Sequence, residues 1–99
     1  ILPFDDEEQV IGLHNESIYG LTSSVWGAEK DAISVARQLE AGTTMINTAA
    51  VQGLDVRFPF GGFKQSGIGR EYGTEGIRTY TEQHVINVPN MLDLPYIPE

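Results

Sequence analysis

Residues 19–47 read YGLTSSVWGAEKDAISVARQLEAGTTMIN. Tyr19 to Trp26 has strand composition and is punctuated by Gly20 and Gly27. The next segment changes period. Ala32, Val35, Ala36 and Leu39 fall at i, i+3, i+4 and i+7, and Ile33 widens the stripe. Lys30, Arg37, Gln38 and Glu40 lie off that stripe, and Gly42 stands where a helix C′ residue belongs. Thr43 to Asn47 is again a strand. Strand, helix, strand at this length is an α/β unit, which predicts parallel strands joined by a right-handed, helical crossover.

On the N-terminal side, Ile1 to Phe4 reads as the end of a buried strand. Asp5-Asp6-Glu7-Glu8 reads as a helix start, with Asp5 or Asp6 as cap, Glu8 three residues after Asp5, and acids suited to the positive helix terminus. Val10, Ile11, Leu13 and His14 give that helix its apolar side, and Asn15-Glu16-Ser17 stops it. On the C-terminal side periodicity vanishes from Thr48 to Gly69, and six of the 11 glycines lie between Gly61 and Gly76. A short helix is predicted over Thr74 to Tyr80 with Thr74 as cap. A last strand follows over Thr81 to Val88, where His84 alternates with Ile86 and Val88 on a buried or half-buried face. Pro89 ends it, and residues 90–99 form a Pro-punctuated tail. The order is β-α-β-α-β-loop-α-β.

With 99 residues, the chain is one domain or a piece of one, large enough for a modest core. It has no cysteine, which excludes disulfides, cysteine-ligated zinc or iron–sulfur centres and a cysteine nucleophile. Two histidines without partners at ligand spacing give no metal site. Fourteen acids against six bases, net −8, oppose nucleic acid and anionic membranes, and no apolar run reaches the ~20 residues of a membrane span. The first residues, Ile1-Leu2-Pro3-Phe4, are no signal peptide and read as a cut inside a larger protein.

Charge is uneven. Residues 1–55 carry nine acids and two bases, whereas residues 56–70 carry Arg57, Lys64 and Arg70 and no acid. This basic island coincides with RFPFGGFKQSGIGRE, and three readings compete for it. A phosphate cradle would use glycine N–H groups and a nearby cation. However, Gly67 to Gly73 is G-x-G-x-x-x-G, one residue off the dinucleotide spacing, and follows a loop. Base stacking would use Phe58, Phe60, Phe63 and Tyr72, against the net charge. Plain turn chemistry needs neither ligand. The acids at 5–8 are ordinary for a helix start, His14 reads as a packed histidine, and no serine sits in a nucleophile elbow.

Pro59-Phe60-Gly61-Gly62-Phe63-Lys64-Gln65-Ser66-Gly67-Ile68-Gly69-Arg70-Glu71 resembles the P-F-G-G-x-K-x-S-G-x-G-R-E segment near the C-terminus of NAD(P)-dependent aldehyde dehydrogenases. Tyr19-Gly20-Leu21, Ser24-Val25-Trp26, Ala36 to Gly42, Ile46-Asn47 and Gly76 to Thr81 agree in order and spacing, so the resemblance covers about residues 1–88. It implies an α/β fold: part of a mostly parallel, helix-covered sheet of the catalytic domain over residues 1–80, an oligomerisation strand over 81–88 and a tail over 89–99. It implies thiohemiacetal chemistry, in which a cysteine thiolate attacks the aldehyde, an oxyanion hole holds the charge and hydride passes to the nicotinamide. The family's nucleophile, general base and main nucleotide-binding segments precede the portion seen here.

The carry-over to this chain is therefore narrow. It assigns no catalytic, metal or cofactor-binding residue here. Phe60 matches the aromatic that lines the aldehyde tunnel. Residues 49–58 match the variable loop at its mouth, which makes Phe58, Leu54 and Val51 further substrate contacts and Phe58 a bulky wall. Lys64, Ser66, Gly67, Gly69, Arg70 and Glu71 fix the loop. NAD or NADP belongs to the parent enzyme and is not bound by these residues alone. The expected partners are an aldehyde, the preceding part of the enzyme and further subunits of a homo-oligomer (dimer or tetramer), in the cytoplasm. The alternative is a free-standing domain of the same fold that self-associates or docks a partner through its last strand.

Overall fold

A computed structural model describes residues 1–87. Helix α1 (Glu7–Asn15) starts on Asp6, whose carboxylate accepts the Gln9 N–H at 2.8 Å, while the Gln9 side chain accepts the Asp5 N–H at 2.7 Å. The reciprocal cap expected here therefore uses Gln9 and not Glu8. After α1 come β1 (Tyr19–Gly20), β2 (Thr22–Val25), α2 (Glu29–Ala36) and β3 (Thr43–Ile46). A 3-10 turn (Ala50–Gly53), β4 (Phe63–Lys64) and α3 (Gly73–Arg78) complete the described chain.

The predicted β-α-β unit is present. β2 and β3 are parallel neighbours, with Thr22 opposite Thr43 and Val25 opposite Ile46, and α2 connects them. Ser23 and Thr44 hydroxyls meet at 2.7 Å across the ladder. Ala32 of α2, Ala41 and Met45 of β3 are buried, and Val35, Ala36 and Leu39 are half-buried. The Asn47 amide closes the unit, accepting from Gly27 N at 2.9 Å and donating to Gly27 O at 3.0 Å. Asn15 does the same at the other end, donating to Gln38 O and accepting from Glu40 N.

Other expectations need correction. The Tyr19–Trp26 strand is two strands in two sheets, because the chain bends at Leu21: β1 pairs antiparallel with β4, so the sheet is not parallel throughout. Helix α2 stops at Ala36, where Gln38 and Leu39 N–H groups turn back to Val35 and Ala36 carbonyls. Gly42 is thus not its C′ residue, and Ile33 points to solvent. At α3 the N-cap position is Tyr72 and no side chain caps it, so Thr74 has no such role. Ile1 to Phe4 form no strand and are exposed, and residues 81–87 form no strand pairing among the described residues. A strand needs a neighbour for its N–H and C=O groups, and none is supplied. His84 and Ile86 are exposed accordingly; Val88 and the 89–99 tail lie outside the described residues.

The modest core is smaller than expected: Ala32, Ala41 and Met45 are the buried hydrophobics among the described residues, while Leu21, Trp26, Phe63 and Ile77 remain exposed. A parallel sheet normally has both faces covered, and here most of that cover is missing.

Gly42 fills a structural need. A Cβ there would collide with the Gly61 carbonyl, so the start of β3 and the glycine-rich loop touch backbone to backbone. Gly42→Ala is expected to cost roughly 1–3 kcal/mol by overpacking, read as a lower urea midpoint. Gly12→Ala, with open space around the position, is expected to gain about 0.5–1 kcal/mol from helix propensity in the same assay.

Candidate functional site

The segment between β3 and α3 is held by backbone bonds. Phe60 and Glu71 exchange N–H···O=C bonds of 2.7 Å in both directions, a one-pair antiparallel bridge that closes the Gly61–Arg70 excursion. Within it Ser66 Oγ accepts the Gly20 N–H at 2.9 Å, and Arg70 donates to the carbonyls of Gly62 and Gly69. Lys64 Nζ donates to Asn15 O at 2.6 Å and Ser17 O at 3.0 Å and pairs with Glu40 at 2.6 Å. Gly67 and Gly69 have φ of 127° and 83°. The expected bracing role of this set is what the geometry displays.

Two of the three cations of the island are engaged within the chain. The Lys64 and Arg70 cations are engaged by internal carbonyls, Arg70 also lies 5.8 Å from the Phe63 ring centroid, and α3 is a helix of six residues.

Upstream of the bridge, Asp55 to Phe58 is a β-turn, with Asp55 O accepting Phe58 N–H at 3.0 Å. The Asp55 carboxylate also accepts the Arg57 backbone N–H at 3.0 Å, an Asx turn. It pairs side-on with the Arg57 guanidinium, whose Nε lies 2.9 and 3.0 Å from the two oxygens. The guanidinium in turn lies 5.9 Å from the Phe58 ring centroid. The far side of the turn is clasped by Gly73, whose N–H donates to Val56 O at 3.0 Å. Gly73 has φ of 58°, and a Cβ there would stand 2.8 Å from the Arg57 carbonyl.

Between this turn and the bridge lies a cleft of about 90 Å³, lined by Thr43, Leu54, Asp55, Phe58, Phe60 and Tyr72 among others. Phe60 and Tyr72 rings stand 6.3 Å apart at 36°. Phe60 also forms part of an open groove of about 510 Å³ on its other side, with Leu21, Ser66 and Thr79. Three of the four predicted substrate contacts, Leu54, Phe58 and Phe60, thus meet in one cleft. Val51 lies in the 3-10 turn, and its side chain is outside the described set.

Sequence reasoning missed two lining residues. Tyr72 entered only as a stacking aromatic, yet it faces Phe60 across the cleft and holds φ of 60°, costly for a bulky residue. Its place just past the Glu71 bridge partner was the available signal. Asp55 was overlooked as well; the Asp-x-Arg spacing of an Asx turn could have found it.

Arg57 holds the Asp55 carboxyl well below its ordinary 3.8, at about 2, first through the side-chain hydrogen bonds and then through its backbone N–H. Asp55 in turn raises Arg57. A lowered carboxyl contributes stability above its unfolded value and loses it as pH falls through the folded one. The turn should therefore loosen between about pH 4 and pH 2. A carboxyl carbon NMR titration should place the Asp55 midpoint near 2, and Arg57→Gln should return it toward 3.8.

Comparison with known proteins gives one consistent result. The 2-hydroxymuconic semialdehyde dehydrogenase of Pseudomonas putida is 47% identical over 83 residues, 83% of this chain and 17% of that protein. The phenylacetaldehyde dehydrogenase of Pseudomonas fluorescens is 44% identical over 80 residues, 80% of this chain and 16% of that protein. The crystal structure of an aldehyde dehydrogenase of Mycobacterium tuberculosis complexed with NAD+ superposes with a TM-score of 0.77 at 44% identity, over 83% of this chain and 17% of that one. This chain therefore spans about a sixth of the length of the relatives it matches. Residues 1–86 match the model of the aldehyde dehydrogenase family, and the chain belongs to that family.

Proposed function

We propose that these residues are the C-terminal part of an NAD(P)-dependent enzyme that oxidises aldehydes to carboxylic acids, and that they supply one wall of its aldehyde tunnel. The observation that carries this reading is Phe60, the aromatic of the Pro59–Glu71 motif, standing with Leu54, Phe58 and Tyr72 in one apolar cleft. The nucleophile and the NAD or NADP site belong to the preceding part of the enzyme. The absence of cysteine from these residues and their span of about a sixth of their relatives both support that division. Residues 1–80 complete the catalytic domain, and Thr81 to Val88 pair with another subunit of a homo-oligomer. The exposure of Val85 and Ile86 (82% and 79%) is what an uncovered pairing segment displays. The enzyme works in the cytoplasm.

The half-covered sheet favours this reading over a free-standing domain, since a domain that folds alone must bury its own apolar faces. In the intact enzyme, Phe60→Ala should lower kcat/KM for aldehyde by about 10–100-fold, the scale of a lost buried aromatic contact. Cofactor Kd should stay within about twofold by fluorescence titration; a change confined to cofactor Kd refutes the assignment of Phe60. The purified 99-residue chain should give no aldehyde-dependent reduction of NAD or NADP, and turnover by it would refute the division of labour.

A further inference from the structure

The cleft wall holds one feature that tunnel architecture alone does not require. Its lining residues are apolar except for Thr43, Tyr72 and Asp55. Arg57, the cation paired with lining residue Asp55, is joined to it by the side-on pair and by the Asx turn and lies against the Phe58 ring. Lys64 and Arg70 are held elsewhere by backbone carbonyls. An exposed ion pair is usually loose, because two long side chains must be ordered to form it. Here the backbone turn presents both partners, so that cost is reduced even though the Arg57 side chain is 81% exposed.

We propose that Asp55 is a specificity-determining residue: by cancelling Arg57 at the cleft rim, it reserves the site for uncharged, apolar aldehydes against carboxylate-bearing ones. This inference rests on the reading of the cleft as the aldehyde tunnel. An anion entering apolar walls loses hydration and must find a compensating cation. Among the described residues the cation at hand is Arg57, and Asp55 already occupies it. Asp55 also places its own negative charge on the wall, which opposes an incoming carboxylate.

The test is a double-substitution cycle in the intact enzyme, reading kcat/KM for succinic semialdehyde divided by kcat/KM for pentanal. The wild type should favour pentanal. Asp55→Asn frees the guanidinium and should raise the ratio about threefold to tenfold at low salt, the scale of one unit charge at a partly solvated rim. Added salt should diminish that gain. Arg57→Gln leaves the carboxylate alone and should lower the ratio about threefold. The double substitution should return it to within about twofold of wild type. Each ratio is internal to one variant, so lost folding scales both substrates alike, and Arg57→Gln tests the inference should Asp55→Asn give no soluble enzyme. A ratio unmoved by Asp55→Asn, or raised by Arg57→Gln, overturns it. If Phe60→Ala impairs aldehyde use while Asp55→Asn leaves the ratio unmoved, this inference fails and the tunnel reading stands. If Phe60→Ala acts on cofactor alone, both fail.

Discussion

One ammonium group joins the parts of this chain. Lys64 Nζ reaches two carbonyls at the end of α1 and the Glu40 carboxylate before β3, while its own backbone sits in the β1–β4 ladder. Lysine holds φ of 52° here, a conformation that favours glycine. Three charge-assisted contacts offset that local cost, two to the Asn15 and Ser17 carbonyls and one to the Glu40 carboxylate, and the Asn15 carbonyl is one that the helix end leaves open. The Gly42–Gly61 contact, the Ser66 bond to Gly20 and the Phe60–Glu71 bridge all sit within the frame that Lys64 fixes. Phe60, one partner of that bridge, and Tyr72, next to the other, line the cleft.

What the sequence made legible is what local chemistry decides. The β2–α2–β3 unit followed from apolar spacing at Ala32, Val35 and Ala36 and from the strand composition of Thr43 to Ile46. The start of α1 followed from its acids, although the capping partner shifted to Gln9. The bend at Leu21 was not legible. It depends on Gly42 and Thr43 donating to the carbonyls of Gly20 and Leu21, groups 22 residues away with no local signature. Residues 81–87 have the alternation of a strand and no strand partner among the described residues, for pairing belongs to the neighbour as much as to the segment.

The site divides along the same line. Phe60, Phe58 and Leu54 were found through a motif, and the structure adds the reason they meet: a turn at Asp55–Phe58 and a bridge at Phe60 face each other across β3 residue Thr43. Tyr72 and Asp55 escaped because their roles are geometric. Tyr72 lines the cleft from a backbone at positive φ between the bridge and Gly73, and Asp55 lines it from a turn whose N–H and guanidinium come from Arg57.

The reach of the Lys64 contacts has a consequence for how the molecule assembles. Those bonds join residues 47 and 49 positions apart, whereas the Ser23–Thr44 pair of the parallel ladder spans 21. Closing a longer loop costs more chain entropy before any contact repays it. The β-α-β unit thus has the shorter route to form, and the glycine-rich segment docks onto a surface already made. The glycine-rich loop, with the Phe60 that opens it, is accordingly fixed through contacts of long sequence separation, while the β-α-β unit rests on shorter ones.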